Sequence, residues 1–225
     1  MELFNGPIAE NEVIEAMATA RASRYLKSDP LSDELLRSIL FAATRASSPA
    51  NTQPWDFVVV RDPEQRARIA SALAANADWI DTLTSWEEHN RMLKATAQLA
   101  RSVKDVPALV FICGRPAYPE HAPEWSMTLS ACYAASQNLI VAARSLGVGA
   151  TFTTLHAANP DRDDRAIREI LELPPEVQIV TTIPLGWPER SFGKVRRKPL
   201  HEVAHLDRYG SGPSSMPDSD ASRES

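Results

Sequence analysis

An α+β sandwich on a central sheet is the architecture this sequence predicts, and three observations carry it. Short apolar, β-branched runs at 55–60, 108–113, 151–155 and 177–185 read as buried strands. Longer stretches with apolar residues at helical spacing lie between them. Helices outnumber strands, and their order is mixed rather than strictly alternating, which favours α+β. A length of 225 residues suits one domain able to bury a sizeable core.

Residues 1–9 read as irregular and 10–209 as a single domain. A first helix is expected from about Glu10 to Thr19. Asp29-Pro30-Leu31-Ser32 turns into a second, with Ser32 as N-cap and Asp33 and Glu34 favouring the positive helix end. Leu35, Leu36, Ile39, Leu40 and Ala43 make its buried face, and it is expected to fail at Ser47-Ser48-Pro49. Trp55 to Val60 is the first strand. Asp62-Pro63-Glu64-Gln65 opens the next helix: an acid at the N-cap, proline at the first helical position, glutamine where a capping box wants it. That helix continues over 65–74. Residues 75–105 carry polar helix formers with isolated apolar anchors (Trp79, Ile80, Leu83, Trp86, Met92, Leu93) and read as a lid or excursion from the core.

Ala108 to Cys113 is the second strand. Ser126 to Leu146 is apolar nearly all round, so it is expected at the centre of a domain or against a partner subunit, with Gly147 closing it. Thr151 to Leu155 is the third strand. Asp163 or Asp164 caps a short helix carrying Ile167, Ile170 and Leu171, which stops at Pro174-Pro175. Val177 to Leu185 is the fourth strand. Residues 210–225 are polar and small and read as a disordered tail, because they cannot offset their ordering entropy by burial.

Composition excludes several functions. With 24 basic and 29 acidic residues the chain has a formal charge of −5, so it lacks the basic footprint of a nucleic-acid binder. No apolar run approaches the roughly 20 residues that cross a bilayer. The opening MELFNGPIAENE lacks the regions of a secretory signal. Cys113 and Cys132 sit in apolar stretches and read as buried thiols of a reducing compartment; a cytoplasmic location is expected. Only 8 glycines occur, and the glycine-rich signatures of Rossmann, P-loop and serine-hydrolase proteins are missing.

Three groups of residues could carry chemistry. Arg21-Ala22-Ser23-Arg24 and Arg196-Arg197-Lys198 lie near opposite ends of the chain and could meet on one phosphate monoester, which guanidinium groups grip in a fork. Solvated surface charge is the alternative. The stretch Ala46-Ser47-Ser48-Pro49-Ala50-Asn51-Thr52-Gln53-Pro54-Trp55 offers a rigid backbone with Ser48, Asn51 and Gln53 as hydrogen-bonding groups. Asn51 both donates and accepts, matching the edge of a planar heterocycle; a loop that satisfies its own backbone is the alternative. His201-Glu202-Val203-Ala204-His205 is a literal H-E-x-x-H, the zinc-peptidase pattern. No third ligand follows, since Arg208 and Ser211 stand where the extended pattern needs glycine and histidine, so no metal site is expected.

Taken together, several motifs resemble the FMN-dependent nitroreductase family. They are Arg21-x-x-Arg24 with Pro30-Leu31, S-P-A-N-T-Q-P-W-x-F-V-V-V over 48–60, and Leu146-Gly147-Val148-Gly149-Ala150 after an apolar helix. Ile170-Leu171-Glu172-Leu173-Pro174, Ile183-Pro184-Leu185-Gly186-Trp187-Pro188 and Arg196-Arg197-Lys198-Pro199-Leu200 complete the set. The likeness spans about residues 20–208. It implies an α/β/α sandwich with a central mixed sheet, in an intertwined homodimer with two FMN molecules in clefts between the subunits. By the same resemblance Arg21 and Arg197 hold the phosphate with Arg196 nearby, and Arg24 faces the N1/C2-carbonyl side of the flavin, where a fixed positive charge stabilises the reduced anion. Ala22 stands where the family usually has serine, with Ser23 beside it. Val195 stands where a basic residue is common, leaving Arg196 or Lys194 to take that place. The loop with Ser48, Pro49, Asn51 and Gln53 comes from the partner subunit, and the backbone of Thr154 and Leu155 approaches the ring near N5.

The reactive atom is then flavin N5, so no side chain is named as a catalytic acid or base. The resemblance implies that NADPH or NADH reduces the flavin, leaves, and gives way to a small-molecule electron acceptor, a ping-pong cycle. Nitroaromatics, quinones and activated alkenes are the acceptors it suggests. A flavin-binding protein of little turnover, in storage or sensing, and a dehalogenase or oxidase on the same fold stay open as alternatives.

Overall fold

Side-chain caps set where the first helices begin. Asn11 accepts a hydrogen bond from Ile14 N, so α1 spans Glu12–Thr19 rather than starting at Glu10. Ser32 accepts from Leu35 N at 3.2 Å and opens α2 (Asp33–Ala43). Asp62 accepts from Gln65 N at 2.8 Å ahead of α3 (Pro63–Thr82). The computed structural model describes residue 4 and residues 7–82, 90–157 and 165–211. Within these, β1 is Trp55–Val60, α4 Asn90–Ser102, β2 Ala108–Gly114, α5 Glu124–Ser145, β3 Gly149–Ala150, α6 Arg165–Ile170, β4 Gln178–Gly186 and α7 Leu200–Val203.

The sheet has the order β1-β2-β4-β3, and each of its pairings is antiparallel. The parallel member that a mixed sheet needs is not among the described strands. Side chains of β2 alternate between two cores. Val110 and Ile112 face a cluster with Leu36, Ile39 and Ala43 of α2 and Ala131, Ala135 and Leu139 of α5. Leu109, Phe111 and Cys113 face Ile69, Leu73, Ala77 and Ile80 of α3 and Ala97 and Ala100 of α4. A strand with both faces covered must be apolar throughout, and β2 is buried at every position. The sandwich therefore has three layers, helix on both sides of the sheet.

Residues 75–82 continue α3 because neither glycine nor proline interrupts them and Ala77 and Ile80 are buried. Of the rest of 75–105, α4 packs on the same core through Ala97 and Ala100, and residues 83–89 lie outside the described set. The caps expected at Asp163 or Asp164, and all but residues 210 and 211 of the expected tail, lie outside it too.

Another expectation is corrected in the strand after α5. The third strand is Gly149–Ala150, not Thr151–Leu155. Past Ala150 the chain makes one isolated bridge, Thr153 to Thr182, and a 3-10 turn over Leu155–Ala157. The threonines look like strand residues, but their hydroxyls are used elsewhere: Thr151 donates to the Ser23 carbonyl at 2.6 Å. In α5, expected at the centre of a domain or against a partner subunit, one face is left open by this chain. Ser126, Ser130, Tyr133 and Gln137 form an exposed stripe at helical spacing, and Trp125 at its start is also exposed.

Candidate functional site

The arginine stretch near the N-terminus is tied into one ribbon with the C-terminal basic stretch. Residues 18–27 run alongside 187–195, held by Val195 N to Ala18 O (2.9 Å), Glu189 N to Tyr25 O (3.1 Å) and Lys27 N to Trp187 O (2.8 Å). Arg21 Nη1 lies 3.9 Å from where a Cβ on Gly193 would stand. The Arg144 guanidinium, over the ring of Phe192 at 4.4 Å, donates to Thr19 Oγ1 and links both edges of the ribbon to α5. Arg197 follows two residues after the Val195 contact, exposed, and donates to the Arg196 carbonyl. The Val195 contact thus brings the start of the C-terminal basic stretch beside Ala18, three residues before Arg21.

The ribbon also lies against β3. Ser23 N donates to Ala150 O at 3.0 Å, and Thr151 returns a bond to the Ser23 carbonyl. Gly149 makes this approach possible, since a Cβ there would stand 2.9 Å from Ser23 Cβ and 2.8 Å from Leu26 Cδ2. Ala22 is exposed and Ser23 half-buried between the two arginines. Arg24 is the unusual member. Its Nε is buried without a hydrogen-bond partner. Burial pushes its guanidinium below the ordinary arginine range, Tyr25 opposes the shift, and Arg21 adds to it. Because arginine keeps its charge, the arrangement is a desolvated cation with one unmet donor beside a second cation. An anionic or acceptor-rich ligand edge answers both defects.

Beyond the ribbon contact, the chain passes Thr154 and Leu155. Thr153 exchanges two backbone bonds with Thr182 at 3.1 Å each, and the Thr154 carbonyl accepts from Ala157 N. The backbone N–H groups of Thr154 and Leu155 have no hydrogen-bond partner among the described residues. These two adjacent donors follow closely on the segment that bonds Ser23.

The loop before β1 lies elsewhere. Ala50, Asn51 and Gln53 all have left-handed backbones, with φ of 52°, 53° and 50°. Such strain costs on the order of 1–2 kcal/mol per non-glycine residue and needs support. Support is present: Ser48 Oγ accepts from Gln53 N, Arg115 donates to the Gln53 carbonyl, and Tyr118 OH reaches the Pro49 carbonyl. Ser48 and the Gln53 side chain, which donates to Asn51 O, are used locally. The Asn51 amide is exposed, with no partner among the described residues.

Within one chain the loop and the ribbon stay apart. They flank opposite outer strands, and register places Trp55 opposite Gly114 and Gln178 while Ala150 pairs with Leu185. At strand spacings of about 4.8 Å and a rise of about 3.3 Å per residue, the diagonal between them is about 27 Å.

Asn76, Thr182 and Arg115 were not singled out from the sequence, although each holds one of these segments. Asn76 alone left a signal, a polar residue on the apolar face of α3. The H-E-x-x-H stretch does not present two histidines on one helix: α7 ends at Val203, and His205 packs on Tyr209 at 4.6 Å. Cys113 and Cys132 face opposite cores, with Cys132 Sγ 3.8 Å from the Cys113 carbonyl.

The sequence matches the family described as Nitroreductase family over residues 17–187. The chain belongs to the nitroreductase family. The matched span includes Arg21 to Arg24 and stops before Arg196 and Arg197. A Methanothermobacter thermautotrophicus relative, provisionally named NADH dehydrogenase/NAD(P)H nitroreductase, is 29% identical over 190 residues, 84% of each chain. An FMN reductase [NAD(P)H] of Bacillus subtilis is 28% identical over 203 residues, 88% of this chain and 75% of that one. An iodotyrosine deiodinase of Nematostella vectensis is 23% identical over 216 residues, 87% and 75% of the two chains. Among solved structures, a nitroreductase with bound FMN from Desulfitobacterium hafniense shares the fold, with a TM-score of 0.70 and 20% identity over 88% of this chain and 100% of that one.

Proposed function

We propose that this protein is an FMN-dependent oxidoreductase that takes electrons from NAD(P)H and passes them to a small-molecule acceptor in a ping-pong cycle. The observation that carries the reading is the buried, unpartnered Nε of Arg24, on a ribbon with Arg21 whose last contact, Val195, lies two residues before Arg197. A desolvated donor without a partner costs about 1–3 kcal/mol, so the position makes sense as half of an interaction. When bound, FMN supplies a carrier that accepts hydride from the reductant and later releases its electrons to the acceptor. Arg21 and Arg197, with Arg196, hold the phosphate; Ala22 and Ser23 line the turn between the arginines. Arg24 stabilises negative charge at the pyrimidine edge, and the N–H groups of Thr154 and Leu155 meet acceptors near N5. The family membership and the names of the M. thermautotrophicus and B. subtilis relatives support the same reading.

The working unit is a homodimer. The loop with Ser48, Pro49, Asn51 and Gln53 leads into Trp55, which stands about 27 Å across the sheet from Ala150 beside the ribbon, and this favours its reaching a cofactor from a partner subunit. Exposed Trp125 and Tyr133 of α5, Phe41 of α2 (62% exposed) and Met17 of α1 (52%) supply apolar and aromatic surface for such a partner to cover. No helix among the described residues is long and apolar enough to cross a membrane. Nitroaromatics and quinones are the acceptors proposed, and halogenated phenols are the contrast that the deiodinase likeness calls for.

The test is an absorbance spectrum of the purified protein followed by anaerobic titration with NADPH or NADH. A flavin band near 450 nm that bleaches stoichiometrically, and returns on adding a nitroaromatic or quinone, is expected. Flavin that neither nucleotide bleaches points instead to storage or sensing. Recovery only with a halogenated phenol moves the assignment to dehalogenation.

A further inference from the structure

The buried polar side chains of this protein are concentrated beside one short segment. Asn76, Thr151, Thr153, His156, Thr181 and Thr182 are all buried, and most bond to 151–156 or to the β4 residues facing it. Buried polar groups are costly unless paired, so a cluster of paired ones specifies a backbone geometry that apolar packing would leave looser. Here the geometry is over-determined. Asn76 Nδ2, from α3, donates to the Leu155 carbonyl at 2.9 Å. Thr153 Oγ1 donates to the Thr182 carbonyl at 2.9 Å, and His156 Nδ1 lies 3.1 Å from Thr182 Oγ1. Carbonyls 153, 154 and 155 are each held, while the N–H groups of Thr154 and Leu155 have no partner among the described residues.

We propose that Asn76, Thr182 and His156 are positioning residues that aim these two N–H donors at the acceptor edge of the bound cofactor and so raise its tendency to be reduced. The inference rests on the cofactor reading above. Donors preorganised toward developing negative charge stabilise the reduced form, and a few tenths of an ångström of rotation weakens them. Asn76 and Thr182 approach from different elements, α3 and β4, so loss of either frees a different side of the segment.

The experiment uses the FMN-loaded protein and compares Asn76→Leu, Thr182→Val and Thr182→Ser with Ser136→Ala. The last removes a similar buried bond (Ser136 Oγ to Thr181 Oγ1, 2.9 Å) made with α5, away from residues 153–155. In Asn76→Leu and Thr182→Val the equilibrium for reduction of the bound flavin is expected to weaken about tenfold, a drop of about 30 mV for a two-electron couple. FMN affinity changes less than about threefold because the arginines still hold the phosphate, and kcat falls more than KM. Thr182→Ser, which keeps the hydroxyl, retains the wild-type potential, and Ser136→Ala lowers thermal stability without shifting it. Loaded Asn76→Leu and Thr182→Val proteins with wild-type potentials overturn the inference alone, as does an equal shift in Ser136→Ala. A wild-type protein that takes up no FMN overturns the reading of the site and the inference with it.

Discussion

Arg24 carries a conflict between stability and binding that a single substitution exposes. Its buried Nε has no partner, and Arg21 stands close enough to add repulsion. Arg24→Gln removes the uncompensated charge, so the FMN-free protein is expected to be as stable or more stable by up to about 1 kcal/mol, while FMN binds at least about tenfold more weakly. Calorimetry on apoprotein and flavin titration check the two halves; a large loss of apoprotein stability contradicts the first. The cysteines make a different point. Burial, followed by Cys113 and Asp56, pushes the Cys132 thiol up to about 12. A thiol whose folded pKa is raised contributes stability that is fully present below its unfolded value, near 9.0, and is lost as pH rises toward 12. Alkylation of native Cys132 at pH 8 is accordingly expected to proceed only as fast as the protein opens, and rapid labelling of the folded protein contradicts its burial.

Among the elements, β3 and the loop before β1 show what local sequence can and cannot announce. Gly149→Ala is expected to destabilise the fold by about 1–3 kcal/mol and to displace the arginine ribbon, because the new methyl meets Leu26 and Ser23 inside 3.0 Å. Wild-type FMN retention in that variant contradicts the close approach. Ala50→Gly relieves a left-handed alanine and is expected to be neutral or stabilising by up to about 1 kcal/mol in chemical denaturation; clear destabilisation contradicts the strain. Strand β1 and the caps Ser32 and Asp62 were legible because their causes are local: a β-branched run, and an oxygen three residues ahead of an amide. The shift of the third strand to Gly149–Ala150 was not, because Thr151 bonds to Ser23, far away in the chain. Nor was the role of Asn76, whose partner Leu155 lies 79 residues on.

For the whole molecule, the decisive prediction concerns complementation between subunits. If each site draws its arginines from one chain and its 48–53 loop from the other, Arg21→Ala/Arg197→Ala and Asn51→Ala/Gln53→Ala are each poorly loaded alone. Refolded together they form mixed dimers with one intact site, restoring about a quarter of wild-type flavin if pairing is random. No recovery on mixing, or a monomer in light scattering at micromolar concentration, contradicts the shared site. What the sequence by itself determined is the set of elements and the motifs that resemble a flavin-binding family, since propensity, capping and alternation act over a few residues. Only the tertiary structure decided that the Arg21–Arg24 stretch runs alongside 187–195, that Arg24 has a buried donor unmet, and that the loop before β1 stands across the sheet from it. Those facts depend on which distant segments pack together, and strand order and register, not local preference, determine that.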